Sequence, residues 1–149
     1  MSKQEAEIFD VDGTLVDVDP FLHHILGEKK DFNAFHAACV NAEPHSRVVH
    51  MARYASEKGR HIIVVTARKE MWRAQTSMWL ALNGVPSAAL YMRANDDGRP
   101  DYEVKKDILA KVNQFWDVKH AVDDNPKVIK LWEENGIPTT KIGDWDGEK

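Results

Sequence analysis

AEIFDVDGTL, residues 6–15, runs from a short, mostly apolar stretch straight into two aspartates and a glycine, and the reading of that junction decides the fold. A run this short suits a strand better than a helix. Comparable runs recur at HIIVVT (61–66), ALYM (89–92) and KHAV (119–122), with TTKI (139–142) as a weaker fifth. Their lengths and dense apolar character fit strands buried on both faces, as in a parallel sheet.

Between the runs the apolar spacing changes to that of helices. In KEMWRAQTSMWLALNG, Met71, Ala74, Met78 and Leu82 follow steps of three and four, and in YEVKKDILAKVNQF so do Val104, Ile108 and Val112. Trp79 and Trp132 are expected in the core. NGVP (83–86) and NGIP (135–138) each place Gly at a left-handed C-terminal cap with Pro two residues on, and Asn125-Pro126 opens a helix with a cap and a first-turn proline. Alternating strands and helices predict an α/β fold, a three-layer sandwich around a central parallel sheet.

The chain has 149 residues, the size of one domain, and we expect a single unit over 1–149 with a small insert at about 16–46, too short for a large cap. Phe32, Phe35 and Cys39 in that insert share one helical face. Lys and Arg number 20 against 24 acidic residues, so no global positive field advertises nucleic acid, although a local basic groove stays open. Cys39 has no internal disulfide partner, and the start MSKQEAEIFD lacks the features of a signal peptide. A cytoplasmic protein with no membrane partner is expected.

In open parallel sheets ligands bind beyond the carboxyl ends of the strands. The residues found there are Asp10 and Asp12 after the first run, Thr66 and Arg68 after the second, and Asp123 and Asp124 after the fourth. Lys105 and Lys106 begin the helix after the third. Each has an alternative reading. Asp123-Asp124 could cap a helix, Thr66 likewise, and both lysines stand at helix-pair spacing from Asp101 and Glu103.

With the four groups in this order, the sequence resembles the haloacid dehalogenase (HAD) superfamily of aspartate-nucleophile phosphatases. DVDGT (10–14) is similar to the first motif, VVTAR (64–68) to the second, Lys105 in EVKK to the third and VDDN (122–125) to the fourth. The resemblance implies a Rossmann-like fold, Mg²⁺ as cofactor and phosphoryl transfer through an aspartyl-phosphate. Asp10 is then the nucleophile and Asp12 the general acid and base. Thr66 binds a phosphate oxygen, Lys105 neutralises charge on the transferring group, and Gly13 allows the turn around the substrate. Asp10, the backbone carbonyl of Asp12 and either Asp123 or Asp124 are the metal ligands by the same resemblance. Asp17 and Asp19, further along the loop, are expected to be solvated.

VVTARKE, YMRANDDGRPDYEVKKDIL and AVDDNPKVIKLWEENGIP extend the resemblance to the 3′-phosphatase domain of bacteriophage-type polynucleotide kinase-phosphatases. A nucleic-acid 3′-phosphate is the substrate this implies, in nucleic acid repair, with a separate kinase or ligase as partner. Arg68, Arg93 and Arg99 are candidates for gripping substrate phosphates, and Trp72, Tyr91 or Tyr102 for stacking a terminal base. No GxxxxGK[ST] appears, and Asn125 stands where an arginine often follows the paired aspartates. The competing functions are a phosphatase of nucleoside monophosphates or other small phosphomonoesters, and a phospho-acceptor binding module. The latter has no use for a general acid at Asp12.

Overall fold

The computed structural model describes residues 2–20 and 42–146. Phe32, Phe35 and Cys39, with the helical face expected of them, and most of the insert lie outside the described residues.

All five apolar runs are strands. They are β1 (Gln4–Phe9), β2 (His61–Lys69), β3 (Ser87–Arg93), β4 (Trp116–Asp123) and β5 (Thr139–Lys141). They form one parallel sheet in the order β3-β2-β1-β4-β5, so the strand that carries DVDGT lies in the middle. Among the described residues four α-helices accompany them: α1 (Ser46–Glu57), α2 (Arg73–Leu82), α3 (Asp101–Phe115) and α4 (Pro126–Glu134).

A strand sends alternate side chains to opposite faces, and both faces here are dry. Phe9, Ile62 and Val64 pack with Val48, Val49 and Ala52 of α1 and Trp79 and Leu80 of α2. Ile8, Ile63 and Val65 pack on the other side with Val104, Ile108 and Val112 of α3 and Val128 and Trp132 of α4. The three layers follow from this division.

The caps stand where the sequence puts them. The Asn125 side chain accepts a hydrogen bond from the Lys127 amide at 3.0 Å, and Gly84 and Gly136 have φ of 69° and 75° just past their helices. Helix α2 departs from expectation. Its buried side chains are Thr76, Trp79 and Leu80, while Met71, Met78 and Leu82 are exposed. Most of this segment is apolar, so spacing alone cannot choose which face turns inward. Trp79 decides it, burying the largest side chain and giving its indole N–H to the Ala42 carbonyl at 2.8 Å.

Residues 15–17 and 43–45 lie side by side through the Val16–Pro44 bridge, the Asp17 amide on the Glu43 carbonyl and the His45 amide on the Leu15 carbonyl. The two ends of the insert therefore meet just beyond DVDGT.

Candidate active site

Beyond β1, the Asp10 amide still donates to the Val122 carbonyl of β4 at 3.0 Å, which brings the first and fourth motifs together. The chain then turns through Gly13, at φ 82°, where L side chains are strained. A Cβ there would also fall 2.0 Å from Asp124 Oδ2, so Gly13 is what admits the Asp124 carboxylate.

Asp10 is buried. Its Oδ2 accepts from the Thr14 hydroxyl at 3.0 Å and its Oδ1 from Lys105 Nζ at 3.0 Å. Lys105 Nζ also donates to Asp123 Oδ2 at 2.6 Å, and Asp123 Oδ1 accepts from the Asn125 amide at 2.9 Å. Of the two candidate lysines, Lys105 is 1% exposed and Lys106 lies at the surface. Burial opposes a charge on Lys105, but the carboxylates of Asp10 and Asp123 more than offset it and hold the proton well above the ordinary lysine range.

Asp10, Asp123 and Asp124 form a buried group in which one oxygen from each carboxylate lies within 4.8 Å of the other two. Burial, and then the neighbouring carboxylates, push Asp10 and Asp124 above the usual carboxylate range. With Asp12 beside them, four carboxylates face the two cationic side chains Lys105 and Arg68, leaving negative charge in excess. An all-oxygen, electron-rich cluster of this kind suits a hard metal cation. The structure thus brings both Asp123 and Asp124 into the candidate metal site.

Asp12, two residues beyond Asp10, pairs with a different cation. Arg68 grips its carboxylate with two hydrogen bonds, Nη2 to Oδ1 at 2.6 Å and Nε to Oδ2 at 2.9 Å. Arg68 is itself fully buried, with Nη1 on the Thr76 hydroxyl at 3.0 Å. Thr66 is buried within β2, three residues before the strand ends at Lys69, and its hydroxyl accepts from the Arg68 amide at 3.1 Å. Thr76 was not singled out from the sequence. No local signal marks it, because Ser77 offers a second hydroxyl beside it and the buried face of α2 is set by Trp79.

The other arginines face protein partners. Arg93 is buried against the loop that follows β3, and Arg99 pairs with Asp97 and Asp107 at the surface. Asp17 is half-buried, with its carboxylate on the Asp19 amide and 3.8 Å from His45. Trp72 and Tyr91 are half-buried and Tyr102 is exposed. No helix among the described residues is long and apolar enough to cross a membrane.

Residues 4–146 match the family model of the polynucleotide kinase PNKP phosphatase domain. Among solved structures, the chain is similar to one from a Pnkp1/Rnl/Hen1 complex, at 25% identity and a TM-score of 0.82, covering 97% of this chain and 48% of that one. It thus spans about half the length of that relative. It is also similar to a class C acid phosphatase from Bacillus anthracis solved with tungstate, at 18% identity and a TM-score of 0.70, covering 99% and 71% of the two chains. A third similar structure is a HAD-family enzyme from Bacteroides thetaiotaomicron in complex with magnesium and inorganic phosphate. That match has 12% identity and a TM-score of 0.55, covering 97% and 98%.

Proposed function

Because the chain belongs to the polynucleotide kinase PNKP phosphatase-domain family and is a HAD-type phosphatase, we propose that it removes 3′-phosphates from DNA or RNA ends in a Mg²⁺-dependent reaction. The observation that carries the mechanism is the buried chain Thr14–Asp10–Lys105–Asp123, with Asp12 clamped beside it by Arg68.

In the first step an Asp10 oxygen forms a bond to phosphorus as the bond to the leaving oxygen breaks, and the protonated Asp12 carboxyl gives its proton to that oxygen. In the second, the Asp12 carboxylate takes a proton from water, whose oxygen bonds to phosphorus. The Asp10–phosphorus bond then breaks, releasing inorganic phosphate and restoring both carboxyl groups. Thr14 and Lys105 hold Asp10 in orientation, and Lys105 stabilises charge on the equatorial oxygens together with the Thr66 hydroxyl. Asp10, Asp123 and Asp124, with the Asp12 carbonyl, would hold the Mg²⁺ ion, which would supply positive charge against the transferring group. The all-oxygen donor set supports a hard cation of this kind.

The likeness to a chain from a Pnkp1/Rnl/Hen1 complex supports a nucleic-acid end as substrate and a separate kinase or ligase as partner. A nucleoside monophosphate or other small phosphomonoester is the second reading, favoured by the internal ion pairs that occupy Arg93 and Arg99. A side-by-side assay of a 3′-phosphorylated oligonucleotide, a 3′-mononucleotide and a 5′-mononucleotide separates the two. A polynucleotide 3′-phosphatase has the highest kcat/KM on the oligonucleotide, and that value falls as salt is added. Salt-independent preference for a mononucleotide overturns the first reading.

A further inference from the structure

We infer that Arg93 is a positioning residue of this site, a guanidinium that ties the end of β2 to the first turn of α3 and thereby fixes where Lys105 stands. The inference rests on the reading of Lys105 as the cation that faces the transferring phosphoryl group.

Arg93 is the last residue of β3 and is 9% exposed. Its Nε donates to the Ala67 carbonyl at 2.8 Å, and Ala67 sits between Thr66 and Arg68. Nη1 donates to the carbonyls of Asp97 at 2.8 Å and Arg99 at 2.5 Å, and Nη2 to the Asp101 carboxylate at 3.0 Å. Four of the five N–H directions of a guanidinium are thus aimed at protein oxygens belonging to three different segments.

Asp101 opens α3 and Lys105 lies four residues later, on the same helical face one turn on. Anchoring Asp101 therefore sets both the axial position and the rotation of the turn that carries Lys105. From there Lys105 Nζ reaches Asp10 at 3.0 Å and Asp123 at 2.6 Å. The intervening loop, ANDDGRP (94–100), is folded about the same guanidinium. Asn95 adds a second tie, its Oδ1 accepting from the Met71 amide at 2.8 Å. A lysine at 93 would carry its charge at one point and could not span these acceptors.

The test compares Arg93→Lys and Arg93→Gln with the unmodified protein, well below their melting temperatures. Each is assayed with Mg²⁺ on an aryl phosphate, which has no nucleotide backbone, and on a 3′-phosphorylated oligonucleotide. Misplacing a reacting group by a fraction of its bond length costs rate on any substrate, so kcat should fall on the order of tenfold to a hundredfold on both. KM for the aryl phosphate and the salt slope on the oligonucleotide should stay unchanged, and lysine should not restore the rate.

A loss confined to the oligonucleotide, with a shallower salt slope, makes Arg93 a substrate contact and overturns the inference. Unchanged kcat with a lower melting temperature overturns it in favour of a purely stabilising role. Where Arg93→Gln does not fold, Arg93→Lys carries the same test alone, since Asp101→Asn would also remove a negative charge that acts on Lys105. Lys105→Gln distinguishes the underlying reading. Wild-type turnover in that variant refutes the role given to Lys105, whereas a slow Lys105→Gln beside fast Arg93 variants refutes only the positioning.

Discussion

Asp12 meets the Arg68 guanidinium through both oxygens, at 2.6 and 2.9 Å, so its carboxyl group is oriented before substrate arrives. An asparagine there would lose the transferable proton and set its amide N–H against one arm of the guanidinium. For Asp12→Asn we expect kcat to fall by about 10²–10⁴ on an alkyl phosphate and by clearly less on an aryl phosphate with a good leaving group. Equal losses on both would contradict its acid role. A different carboxylate controls acid stability. Glu7, in the middle of β1, is opposed by burial but accepts from His120 at 2.9 Å and Arg60 at 2.9 Å, and the net effect lowers it below the usual range. Its stabilisation is therefore complete above the unfolded value of 4.5 and is lost as pH falls through the lower folded value. Urea titrations should find a flatter dependence of stability on pH below 5 in Glu7→Gln than in the unmodified protein, and identical slopes would remove Glu7 from the account. These residues differ in legibility. Asp10 and Asp123 could be placed from sequence because they directly follow apolar runs, and Asp12 because it stands two residues on, whereas the partners of Glu7 come from β4 and from Arg60 just ahead of β2 and leave no local trace.

Helix α2 illustrates where periodicity stops being informative. Steps of three and four through Met71, Ala74, Met78 and Leu82 describe a helix correctly, but a segment apolar around most of its circumference offers more than one face to a sheet. The choice was made by Trp79 and its bond to Ala42, a contact across 37 residues that no local pattern contains. Opposite outcomes follow for neighbouring residues. Trp79→Ala should cost about 3–5 kcal/mol in equilibrium unfolding, and Met78→Ala should stay within about 0.5 kcal/mol. The reverse ranking would turn the Met71, Met78 and Leu82 face inward and contradict the expected burial of Trp79. In α3 the same reasoning succeeds, because Val104, Ile108 and Val112 form one stripe amid polar residues and only one face can be buried. That stripe did not choose between Lys105 and Lys106. The helix rotates about 100° per residue, and the buried ends of β1 and β4 lie on the Lys105 side.

At the level of the whole molecule the sheet order places the excess negative charge of Asp10, Asp123 and Asp124 next to its centre, where like charges repel strongly. A cation bound only by the folded chain must then raise the melting temperature. With Mg²⁺ at about 100 times its dissociation constant the stabilisation is about 2.7 kcal/mol. Scanning calorimetry with and without chelator should find that increment in the unmodified protein and a smaller one in Asp124→Asn, and no response to Mg²⁺ would disprove the metal site. The layered α/β plan was legible because five short runs alternate with helical stretches, and the path between residues 20 and 42 was not, since its apolar residues follow no sustained period. One feature of the plan reaches beyond chemistry. The Asp10 amide is bonded to Val122 between β1, the central strand, and its neighbour β4, so the carboxylate proposed as nucleophile belongs to the part of the sheet expected to open last. Its amide should exchange with deuterium only through global unfolding, and in rising urea the loss of activity and the loss of structure should follow one curve, leaving no folded but inactive form in between.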